Sequence, residues 1–79
     1  MYSMLKIDWS EKRQRHALDR MLLRGISRKE FHEAILMGQK RKQRGNIHES
    51  IYRYFSVVYE EFETKKFRKI YPITVKVIA

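Results

Sequence analysis

The chain is predicted to fold as one α+β domain, with two helices in a tight corner packed on one face of a small antiparallel sheet. Three observations predict this. Apolar residues alternate weakly over residues 4–9. They recur at helical spacing between about Glu11 and Met37. Beyond Gly38 the chain turns to β-branched and aromatic residues in strand-like alternation. The expected order is β-α-α-β-β-β, and 79 residues make a single domain, 1–79.

The elements follow in order. In "MLKIDW", Leu5, Ile7 and Trp9 fall on one side, as in a short strand. Asp8 or Ser10 is placed to cap a helix from about Glu11 to Arg24. Ala17, Leu18, Met21 and Leu22 should face the core, and Gly25 should close the helix in the left-handed conformation. "SRKE" is a capping box, in which Ser27 and Glu30 exchange side-chain-to-amide hydrogen bonds. Ile26 and Phe31 flank it as a hydrophobic staple. A second helix over 28–37 then buries Phe31, Ala34 and Ile35, and Gly38 ends it.

"QKRKQRGNI" reads as an edge strand or a loop leading into one. "SIYRYFSVVYEEFE" reads as one strand, with Ile51, Phe55, Val57 and Tyr59 on one face and Tyr52, Tyr54, Ser56 and Val58 on the other. "TKK" is a hairpin turn, and "FRKIYPITVKVIA" returns with Ile73, Val75 and Val77 facing the core. Pro72 cannot donate to a ladder, so its part of the strand belongs at an edge or bulge.

Composition narrows the function. The formal charge is +9, from 18 basic and 9 acidic residues. Such an excess suits a polyanion: RNA, DNA, an anionic membrane face or an acidic protein. With 43% hydrophobic residues, disorder is not the reason for it. There is no cysteine, so disulfides and thiolate–zinc sites are excluded, and no metal or cofactor is expected. Apolar runs such as "AILM" and "FSVVY" fall far short of the ~20 residues of a membrane helix. A cytoplasmic protein that does not enter the membrane is expected.

Three groups of residues could carry chemistry. The sheet face opposite the helices would hold Tyr52, Tyr54, Ser56, Arg68, Thr74 and Lys76, where bases could stack on rings and phosphates meet cations. Its competing reading is an ordinary solvated face. The run Lys40, Arg41, Lys42 and Arg44 could neutralise several phosphates, or merely protect an edge strand. His16, Arg20 and Arg24 lie at i, i+4 and i+8 near one helix line, with Arg13 nearby. That line offers an imidazole that can take a proton and guanidinium forks suited to phosphate. Its competing reading is a structural histidine with Arg20 paired to Asp8 or Glu49. Nothing resembles a Ser-His-Asp system, a phosphate loop or a metal cluster.

"RHALDRMLLRGIS" resembles the His-Ala-x-x-Arg-Met-x-x-Arg-Gly-Ile-Ser signature of a small prokaryotic family of domains of unknown function, grouped with the BrnT- and RelE-like toxins. "GQKR", "YRYFSVVY" and "ITVK" are similar to its later strands, so the likeness spans nearly the whole chain. By it, His16, Arg20 and Arg24 match the signature's His and two Arg, and Lys76 the Lys of "ITVK". The resemblance implies a RelE/BrnT-like fold. It also implies kinship with metal-independent ribonucleases that cut messenger RNA and are neutralised by an antitoxin protein. It assigns no catalytic role to any of these residues.

Cleavage of that kind needs a base for the 2′-hydroxyl, an acid for the leaving oxygen and cations around the phosphate. His16 is the candidate base, Arg20 and Arg53 the clamp, and Tyr54 or Tyr71 the proton donor. Arg24, Lys40, Arg41, Lys42, Arg44, Tyr52, Arg68 and Lys76 are the candidate nucleic-acid contacts. The leading reading is a toxin-like RNA-binding domain with a ribonuclease as its catalytic form. A non-catalytic module for RNA or DNA is the alternative. A third reading is a protein-interaction unit that pairs with an acidic partner or accepts a partner strand. Exposed strand edges and a thin core are also compatible with a homodimer.

Overall fold

The computed structural model describes residues 4–78. Ala79, the last residue of the expected returning strand, lies outside them. The elements are β1 (Met4–Ile7), α1 (Arg15–Arg24), α2 (Arg28–Met37), β2 (Gln39–Arg44), β3 (Ile47–Tyr52), β4 (Phe55–Glu63) and β5 (Phe67–Val77). The strands form one sheet in the order β1-β5-β4-β3-β2. The α+β class and the tight helical corner are as expected. Two details differ. Four strands follow the helices, and β1 runs parallel to β5, so the otherwise antiparallel sheet is mixed.

The helical corner follows its local signals. Gly25 closes α1 at φ 71, the left-handed region that glycine enters without steric cost. The Ser27 hydroxyl accepts from the Glu30 amide at 3.1 Å, and the Glu30 carboxylate accepts from the Ser27 amide at 3.0 Å. Ile26 and Phe31 are both buried beside this box. The start of α1 differs from expectation. Asp8 accepts from the Ser10 amide at 2.9 Å, which fixes a turn, and the helix begins only at Arg15 without a side-chain cap. Ala17 and Met21 face the core and Leu18 packs at its rim, but Leu22 is 83% exposed. A ten-residue helix over a small sheet covers a narrower stripe than the apolar pattern offered.

Two local events decide which side chains share a face. The segment expected as one strand is broken by a two-residue turn at Arg53–Tyr54, where Arg53 takes φ 54. Tyr52 pairs with Phe55 across that turn, so the alternation restarts. Tyr52 therefore faces the helices and Ile51 faces away, the reverse of expectation. The second event is a bulge. Val58 pairs with Thr74 but Tyr59 with Pro72, so Ile73 is the extra residue. Below it Val75 faces the core; above it Ile70 does. Ile73 and Val77 are exposed and not in the core. The bulge also turns Arg68 to the helix side of the sheet.

Candidate nucleic-acid interface

The two faces can be assigned from β3. The Ser50 hydroxyl donates to the Ala34 carbonyl, and the Tyr52 hydroxyl donates to Glu33 at 3.2 Å, so these residues face α2. Glu49 and Ile51 face the other way. The strand register carries this open face across the sheet. It comprises Arg41 and Glu49, then on β4 Ser56 and Val58, both buried among their larger neighbours, and Glu60 and Phe62. On β5 it holds Lys76 and Thr74 below the bulge and Tyr71, Lys69 and Phe67 above it, and Lys6 follows on β1.

At the β1–β5 end the open face is aromatic and cationic. Phe62 and Tyr71 meet edge to face, with ring centroids 5.8 Å apart. The Lys6 ammonium lies 4.1 Å from the Phe67 ring centroid. Lys6 and Lys69 are direct partners in the parallel ladder. Like charges placed directly opposite each other destabilise a sheet. Among the described residues the one ion pair is Arg68–Glu61, at 2.9 Å, so no carboxylate neutralises either lysine by direct pairing.

A cleft of about 300 Å³ opens here, lined by Lys6, Ile7, Asp8, Arg13, Lys69, Ile70 and Tyr71. Its origin is chemical. The Asp8 amide donates to the Ile70 carbonyl at 2.8 Å, and the next rung of a parallel ladder would come from the amide of residue 72. Pro72 has none. Strand β1 ends, the chain turns away at Asp8, and a notch is left beside Tyr71.

The residues expected to form a catalytic set stand in three places. His16 and Arg20 are exposed on α1, in the helix layer. Tyr71 is on the opposite side of the sheet, at the notch. Arg53 and Tyr54 are in the β3–β4 turn, where the Tyr54 carbonyl accepts from the Ile78 amide at 2.7 Å. That turn is roughly 20 Å along β5 from Tyr71. The five do not form one site.

The expected binding residues also divide. Arg24 is exposed beside His16 and Arg20 on α1. Arg41, Arg44 and Lys76 lie on the open face, whereas Lys40 and Lys42 turn toward the helix side. Tyr52 is held by Glu33 and lies under the Arg53 guanidinium, 4.9 Å from its ring. Arg68 donates twice to Glu61, at 2.9 and 3.2 Å, and this bonding holds its pKa above the ordinary arginine value. Both are engaged within the fold. Lys6, Phe62, Phe67 and Lys69 were not anticipated. The alternation Phe67, Lys69, Tyr71 within "FRKIY" carried that signal.

No family model, curated protein or solved structure matches the chain. No helix among the described residues is long and apolar enough to cross a membrane.

Proposed function

We propose that the domain binds single-stranded nucleic acid, RNA first, on the open face of its sheet. The observation that carries this reading is the side-by-side pair Lys6 and Lys69 amid Phe62, Phe67 and Tyr71. Cations meet phosphates, and the exposed Phe62 ring with the half-buried Phe67 and Tyr71 rings offers stacking worth ~1–3 kcal/mol per base. The strand would enter at the notch and cross toward Lys76 and Arg41. In this reading the domain binds and does not cut, because the expected acid, base and clamp are far apart.

The test is fluorescence anisotropy with a labelled single-stranded RNA at increasing salt, with the RNA then run on a denaturing gel. Salt-sensitive binding of intact RNA is expected, weakened by Lys69→Gln. Absence of binding at low salt would sink the proposal. Cleavage that survives a chelator and is lost in Tyr71→Phe would make the domain a toxin-like ribonuclease instead. A second reading, an acidic protein partner such as an antitoxin, is favoured by the β1-side edge of β5 beyond Pro72. Among the described residues no strand lies against it, and Ile73, Val77 and Ile78 are exposed there.

A further inference from the structure

The notch has the charge of a site for one strand end, not for an internal link. The sheet partners Lys6 and Lys69 line it, and so does Arg13, from the turn that follows β1. The Tyr71 side chain supplies a hydroxyl. Asp8 is the one carboxylate in the lining, and it is engaged by the Ser10 amide. Three cations against one carboxylate leave a formal surplus of two positive charges. An internal phosphodiester carries one negative charge. A terminal phosphomonoester carries nearly two near neutral pH and offers three acceptor oxygens. Two ammonium groups, a guanidinium fork and a phenol suit that richer acceptor set.

Lys6 and Lys69 are also sheet partners of like charge, an arrangement unfavourable on its own, and a dianion bound beside the pair would offset that cost. Strand β1 ends at the notch, where the chain turns away after Ile7, and the Phe62–Tyr71 ring pair adjoins it on the sheet.

We infer that the notch formed by Lys6, Arg13, Lys69 and Tyr71 receives the terminal phosphomonoester of a single-stranded nucleic acid. This rests on the open-face reading and adds to it a preference for phosphorylated ends.

The test compares three short oligouridylates of equal length by anisotropy at low salt: one 5′-phosphorylated, one 3′-phosphorylated, and one with hydroxyls at both ends. One phosphorylated form should bind about tenfold tighter than the hydroxyl form, the scale of one added set of charged hydrogen bonds. Arg13→Ala should abolish that advantage while changing affinity for the hydroxyl form by less than about threefold. Arg13 is exposed in a turn, so its loss does not threaten the fold. Equal affinity for all three strands would overturn the inference and leave the open-face reading standing. No binding to any of them would overturn both. An advantage that persists in Arg13→Ala would also overturn it, by placing the phosphate elsewhere.

Discussion

Gly38 ends α2, as its place after the last apolar turn indicated, but not through the left-handed backbone that glycine supplies at Gly25. Its φ is −74, which any residue adopts. The reason for glycine is space. A Cβ here would press on the Ser50 hydroxyl and the Ala34 carbonyl, and would lie 2.8 Å from the Ile51 carbonyl. Two of these are backbone atoms and cannot swing aside. Gly38→Ala should therefore destabilise the domain by ~1–3 kcal/mol, the usual scale of overpacking, as measured by urea denaturation. The equivalent change at Gly25 meets no neighbour and would be strained through φ alone. Tyr59 gives a second residue-scale expectation. Burial, and secondarily the Glu61 carboxylate, push its phenol above the ordinary tyrosine value, against an opposing pull from Arg68. The unfolded chain then loses this proton first as pH rises. Stability should be intact below about pH 10 and fall above it, and Tyr59→Phe should flatten that alkaline decline in pH-dependent denaturation.

At the scale of elements, the helices were legible because their signals are local. The capping box, the apolar spacing and Gly25 act within a few residues. The strands were less legible because face assignment depends on parity, and a single extra or missing residue inverts it. The turn at Arg53–Tyr54 carries none of the usual glycine or asparagine, so the sequence reads through it as continuous strand. The bulge at Ile73 was foreshadowed by Pro72, yet its consequence for Arg68 requires the pairing partner on β4. These two inversions explain why Tyr52 and Arg68 left the predicted binding face and why Phe67, Lys69 and Tyr71 occupy it. Strand β2 offers a prediction at this scale. Its residues are all exposed, and its outer edge has no partner strand among the described residues. Replacing Lys40, Arg41, Lys42 and Arg44 by Thr should change unfolding free energy by less than about 1 kcal/mol. The same variant should self-associate at high concentration in light scattering, because charge no longer protects the edge. A monomer that stays monomeric would show that the cations serve no protective role.

For the whole molecule the question is whether location or mere surplus of charge governs binding. A net charge of +9 attracts any polyanion, and a uniform cloud would make every cation equivalent. The open-face reading makes them inequivalent. Four cations border the path of a strand with hydroxyl ends: Lys6, Arg41, Lys69 and Lys76. If each meets one phosphate, log affinity for such an RNA should fall against log salt with a slope of about −2.8. Lys6→Gln/Lys69→Gln should reduce that slope by about 1.4. Arg20→Gln/Arg24→Gln removes the same charge from α1, on the other side of the sheet, and should leave the slope nearly unchanged. Because the two double variants have equal net charge, long-range attraction cancels in the comparison. Equal losses would mean that binding follows the overall field, and a larger loss from the α1 pair would move the interface to the helix stripe. The aromatic cluster adds an independent readout that salt does not screen. Phe62→Ala should weaken binding by about fivefold or more at every salt concentration with no change of slope, since stacking releases no counterions.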